Sequence, residues 1–141
     1  MKQVTVFLSN EHGRLLGMTE ALADAGVNQR ALVIADTAEY GVARLLCDAP
    51  ERAVHALNQA GYRARLVDVI GVRVSDEAGG LAPALRALSE ADVNIEYLYC
   101  ISVGQGHALD VVKADDRDRA AAALRAAGFQ LVDDMATINE G

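Results

Sequence analysis

Tryptophan is missing from this 141-residue chain, and aromatic residues make up only 4% of it. Such a chain is poorly equipped to stack on single-stranded nucleic acid. Positive charge is also short: 13 Lys and Arg face 20 Asp and Glu, a formal net charge of −7. Binding a phosphate backbone needs the opposite balance, so no nucleic-acid partner is expected. Charge interrupts the apolar runs every few residues, and none nears the roughly 20 residues of a membrane-spanning helix. Met1-Lys2-Gln3-Val4 enters a strand at once with no signal-peptide core, so a cytoplasmic protein without membrane attachment is expected. Cys47 and Cys100 each stand alone within an apolar run. They are too few for a disulfide framework, and two buried, reduced thiols are the expectation. His12, His55 and His107 have no Cys or carboxylate at ligand spacing, so neither a metal nor a cofactor is expected.

What the chain does have is apolar mass and a repeat. Hydrophobic residues make up 52% of it, enough for a packed core. Residues 13–28 and 79–94 align with a shift of 66, matching Gly13 with Gly79, Leu15 with Leu81, Leu22 with Leu88, Val27 with Val93 and Asn28 with Asn94. Leu57-Asn58-Gln59-Ala60-Gly61-Tyr62 matches Leu124-Arg125-Ala126-Ala127-Gly128-Phe129 with a shift of 67. The second copy therefore holds one extra residue, and Gly104-Gln105-Gly106 is the turn best able to absorb it. Two copies are too few for a solenoid and indicate a duplicated small domain, residues 1–69 and 70–141.

Each copy carries the same punctuation. A strand (Val4–Leu8; Gly71–Ser75) runs through a polar, glycine-containing turn into a helix. Its apolar stripe is Leu15, Met18, Leu22 and Ala25 in one copy, and Leu81, Leu85, Leu88 and Ala91 in the other. Gly26 suits a left-handed helix terminus, and Asp92 takes that place in the second copy. Strands follow at Asn28–Ala35 and Asn94–Val103, then at Val42–Cys47 and Ala108–Lys113. A second helix opens at Asp48-Ala49-Pro50-Glu51, which reads as a capping box, and at Asp115-Asp116-Arg117-Asp118. A fourth strand closes each copy (Tyr62–Ile70; Phe129–Met135). The order β-α-β-β-α-β, twice, is the ferredoxin-like α+β unit, with helices on one face of an antiparallel sheet. The strands do not alternate as half-exposed strands should. Ala31-Leu32-Val33-Ile34-Ala35 is apolar on both sides. A second chain stacked on the open sheet face is the simplest cover, so a homodimer is expected; the two copies folding onto each other is the rival.

The turns after the first strands resemble those of ACT domains. Asn10-Glu11-His12-Gly13-Arg14-Leu15 is similar to the N-x-P-G-x-L loop, and Gly26-Val27-Asn28 to the step opening the second strand. In the second copy the same places read Asp76-Glu77-Ala78-Gly79-Gly80-Leu81 and Asp92-Val93-Asn94-Ile95. His12 and Ala78 replace the usual proline, and Asp76 stands where the first copy has Asn10. The resemblance, from Val4 to about Val132, implies a tandem pair of ACT units. It further implies an eight-stranded antiparallel sheet with four helices on one face, and a role as an allosteric sensor of amino acids. It also implies ligand sites at the seam between units, one pairing Asn10, Glu11, His12, Gly13, Arg14 and Leu15 with Asn94. The other pairs Asp76, Gly79, Gly80 and Leu81 with Asn28.

The residue chemistry agrees. A loop running into a helix N-terminus offers free N–H groups and a positive dipole end to a carboxylate. Gly13 lets the backbone approach the ligand, and Asn28, Asn94 and Asp76 offer acceptors to an ammonium group. Asp76 would repel an anion, which favours the Asn10–Leu15 loop for the carboxylate. Helix capping by Asn10 and strand initiation by Asn28 and Asn94 are the plainer readings of the same residues. Tyr97 and Tyr99 share a strand face and suit packing better than ligand binding. Among other functions, an acylphosphatase-like hydrolase would need a phosphate loop; Arg14 beside Glu11 is poor support for one, and no Ser or Cys nucleophile has a base. A regulatory subunit of a separate metabolic enzyme remains an alternative to a free sensor. A non-catalytic, amino-acid-binding regulatory protein is expected.

Overall fold

A computed structural model describes residues 1–9, 11–36 and 40–135. The chain runs β1 (Lys2–Ser9), α1 (Arg14–Asp24), β2 (Gln29–Asp36), β3 (Tyr40–Cys47), α2 (Pro50–Gln59) and β4 (Arg63–Asp68). It continues β5 (Ile70–Ser75), α3 (Ala82–Glu90), β6 (Ile95–Gly104), β7 (His107–Ala114), α4 (Arg117–Ala126) and β8 (Leu131–Val132). One compact unit comprises Lys2–Val67; the other comprises Met1 and the chain from Asp68 onward. The eight strands hydrogen-bond as two sheets of four, ordered β2-β3-β1-β4 and β6-β7-β5-β8. The fold is the duplicated ferredoxin-like α+β unit.

Both helices of a unit lie on one sheet face because their apolar stripes meet alternate strand residues. In the first unit Val4, Val6 and Leu8 of β1 pack with Met18, Leu22 and Leu57. In the second, Ile70, Val72 and Val74 pack with Leu88, Ala120 and Leu124. Each fully buried leucine contributes about 1.5–3 kcal/mol of transfer free energy. All four helices end alike. In α1 the Val27 and Gly26 N–H groups return to Leu22 O and Ala23 O; in α3 Val93 and Asp92 return to Leu88 O and Ser89 O. This termination needs a left-handed residue, which Gly26 supplies at φ 71° and Asp92 at φ 58°. The turn at Gly104-Gln105-Gly106 is left-handed throughout and holds the extra residue.

The structure corrects several expectations. Leu15 is not in the α1 core stripe; it is 42% exposed, while Met18 and Leu22 are fully buried. Asp48 does not cap α2. The N-cap is Ala49, with no side-chain cap, and Asp48 Oδ1 instead accepts from Asn28 N at 3.0 Å. Asp116 does cap α4, accepting from Arg119 N at 3.0 Å. The strand expected over Phe129–Met135 is only Leu131–Val132. Cys47 is buried as expected, but Cys100 is exposed. Burial, first of all, pushes the Cys47 thiol pKa up.

On the sheet face away from the helices, Gln3, Thr5 and Leu46 in the first unit, and Leu109, Val111 and Tyr99 in the second, are buried. Gln3 Nε2 donates to Thr5 Oγ1 at 3.0 Å there. The turn expected at Asp36-Thr37 runs outside the described residues at Thr37.

Candidate functional site

In the first unit the chain leaves β1 at Ser9 and turns back at once. Glu11 N donates to Ser9 O at 2.8 Å and Arg14 N to Glu11 O at 3.3 Å. Gly13 is the N-cap of α1, at φ 85°, and no side chain among the described residues caps the helix. A left-handed residue here costs a glycine little and another residue more. Gly17 N donates to Gly13 O at 2.9 Å, whereas Leu15 N and Leu16 N find no acceptor among the described residues. Two backbone donors thus stand at the positive end of the helix. Beside them Leu8, Ser9, Glu11, Arg14, Leu15, Ile34 and Gly41 line a pocket of about 330 Å³. Leu15 and Ile34, 42% and 44% exposed, form its apolar wall.

The start of α1 is fixed from the far side. Tyr62 Oη donates to Arg14 O at 2.8 Å, and the Arg14 guanidinium lies 4.2 Å from the Tyr62 ring centroid. Arg14 Nε is buried with no partner among the described residues. Gly17 makes room: a Cβ there would sit 2.5 Å from Tyr62 Oη. The sequence shows no sign of this lock until Tyr62 and Phe129 are compared across the repeat.

The second unit builds its loop differently. Gly79, at φ 81°, matches Gly13, and Gly80 N donates to Glu77 O at 3.0 Å. A Cβ on Gly80 would strike Ser75 O. Gly80, Pro83 and Phe129 stand in the places of Arg14, Gly17 and Tyr62. Where the first unit has its arginine on tyrosine, the second has a cleft of about 410 Å³ lined by Glu77, Gly79, Gly80, Pro83 and Phe129. Asp76 N donates to Gly106 O at 2.8 Å, and its Oδ2 accepts from Ser102 Oγ at 3.4 Å. Leu81 is the half-buried N-cap of α3.

The asparagines sit at the other ends of these helices. The 11 residues of α1 set Asn28 about 16 Å along the axis from the turn at Gly13. Asn28 and Asp48 exchange backbone and side-chain bonds at 3.0 and 3.3 Å, and Asn94 and Asp115 do so at 3.1 and 3.0 Å. Both asparagines thereby start their strands by pairing with an aspartate across the unit. Asn94 also lines a shallow depression with Asp92 and Asp115. The structure thus groups Glu11, Arg14 and Leu15 in one pocket and Gly79 and Gly80 in another. His12 is exposed at the first turn, and Asn10 lies outside the described residues.

One polar residue escaped sequence reasoning. Asp110 in β7 pairs with Cys100 in β6 and Val72 in β5, on the helix side of the sheet. It is 2% exposed. Burial, first of all, raises its pKa from the usual 3.8. Desolvation, then the hydrogen bond and charge of Asp110, push the Cys100 thiol up to about 11. The signal was a lone carboxylate inside Ala108-Leu109-Asp110-Val111-Val112. No helix among the described residues is long and apolar enough to cross a membrane.

Two βαββαβ units, each turning through a glycine into a helix beside a small pocket, define a tandem ferredoxin-like protein. A family model described as the ACT domain pair matches residues 1–139, and the chain belongs to that family. The crystal structure of a Bacteroides thetaiotaomicron protein is 31% identical, with a TM-score of 0.90 over 99% of this chain and 96% of that one. The ligand-free regulatory subunit of aspartate kinase from Thermus thermophilus is 18% identical, with a TM-score of 0.64 over 90% of this chain and 92% of that one. The corresponding Thermus flavus subunit is 18% identical, with a TM-score of 0.60 over 89% and 91%. These last two show likeness of fold. No curated protein matches the chain in sequence.

Proposed function

We propose that this protein is a non-catalytic cytoplasmic sensor that binds a free amino acid at the loop entering α1. The observation that carries the reading is the pair of N–H groups at Leu15 and Leu16 with no acceptor among the described residues, beside a pocket of about 330 Å³. The pocket volume suits a small ligand. The N–H groups receive the ligand carboxylate, Leu15 and Ile34 receive its side chain, and the Glu11 carboxylate attracts its ammonium group. Asn10 and Asn94 are proposed as further polar partners of this ligand. Asn28 with Asp76, Gly79, Gly80 and Leu81 is proposed as the second set. Three to five charge-assisted bonds, each about 1.5–3 kcal/mol, reach micromolar affinity after the cost of ordering the ligand.

A thermal-shift screen with the twenty amino acids tests this. A true ligand at 100 times its Kd stabilises by about 2.7 kcal/mol. Absence of any stabilising amino acid overturns the reading. Unchanged affinity in both Asn10→Ala and Asn94→Ala removes that pairing alone. Stoichiometric copurification with an enzyme would instead make the chain a regulatory subunit.

A further inference from the structure

We propose that the second unit carries a binding site for a primary ammonium group, built on Asp110 and independent of the amino-acid pocket in the first unit. Asp110 is 2% exposed, and its Oδ2 has no partner among the described residues. An ionised carboxylate buried in this way is costly unless a ligand pairs with it. The fold does not need it, because Ala43 holds the equivalent place in the first unit, paired with Val6 as Asp110 is with Val72. A costly group that the architecture can omit points to a ligand.

Its neighbours favour a cation. The exposed Cys100 thiol donates to Asp110 from β6. Two residues further along the same face, exposed Ser102 bonds Asp76 Oδ2 at 3.4 Å. The row therefore opens to solvent at the edge strand of the sheet. In the first unit the corresponding residues are Ile34 for Cys100 and Arg14 for Gly80. The second unit has thus lost a cation and an apolar wall and gained carboxylates. A metal ion is the weaker occupant: among the described residues no three His, Cys, Asp or Glu groups converge, and the thiol holds its proton. An alkylammonium ion needs only N–H acceptors, which Asp110 Oδ2 and the Ser102 hydroxyl supply.

The test is an amide NMR titration of the full chain with n-butylammonium chloride, with choline chloride at equal ionic strength as the control. Saturable shifts at Cys100, Ser102 and Asp110 are expected with butylammonium and not with choline, which has no N–H. Asp110→Asn weakens binding by about tenfold or more. Asp110→Ala does the same, and it installs the residue that the first unit already folds with. The amino-acid stabilisation profile stays unchanged in both variants. Failure to saturate would leave water as the partner of the orphan oxygen, and equal affinity in the variants would remove Asp110 from the site. Either result overturns the proposal without touching the first pocket.

Discussion

In the first unit Arg14 lies across the Tyr62 ring and gives its carbonyl to the tyrosine hydroxyl. In the second, Gly80 and Phe129 take those places, and a cleft lies open between them. Ile34 and Ala43 of the first unit likewise become Cys100 and Asp110. Yet the backbone devices match: the glycine entering each first helix, the left-handed helix ends, the aspartate holding each second strand. Duplication has kept what the chain path requires and changed what lines the hollows. Residues that direct the backbone have few substitutes, whereas side chains around a cavity are free to diverge with their ligand.

The deepest shared feature gives the largest expected effect. Leu22→Ala and its counterpart Leu88→Ala should each destabilise by about 2–5 kcal/mol in denaturant melts. A large inequality would show that the two cores are not equivalent. Asp110→Asn should stabilise the ligand-free protein by about 1–3 kcal/mol, while Ala43→Asp should destabilise it. The pH dependence sharpens this. The Asp110 pKa is raised in the folded state, so protonation favours folding. The wild type should lose stability against Asp110→Asn as pH rises from about 3.8 through the raised pKa. Parallel melts across that range check the sign. Tyr62→Phe, which gives the first unit the second unit's side chain, should cost about 1 kcal/mol and raise hydrogen exchange at the start of α1. Asp92→Gly should stabilise α3 by about 0.5–1 kcal/mol, since glycine carries no left-handed strain. The matching Gly26→Asp should destabilise α1.

The repeat, the element order and the left-handed helix ends were legible because they depend on local chemistry and spacing. What failed depended on position across the sheet. Leu15 has the spacing of a core residue, but at the first turn of α1 it lies over the pocket. Cys100 stands in an apolar run, but β6 is an edge strand and leaves it exposed. Asp48 has the look of a cap, yet Asn28, 20 residues away in sequence, takes its carboxylate. Periodicity names a face and does not say where that face ends. Of the site, the loop glycines were readable from sequence. The roles of Tyr62 and Asp110 were not, because each depends on a partner in another element.

Gly71 shows how far the halves have parted. A Cβ there would lie 2.8 Å from Met1 Cε, 3.1 Å from Val132 O and 3.2 Å from Leu109 Cδ1. Its counterpart Thr5 fits its own surroundings, bonded to Gln3. Carrying that one residue across, as Gly71→Thr, would thrust a branched side chain into the crowded spot. The twins have ceased to be spare parts for each other, and swapping single residues between them at such places should yield chains that fail to mature.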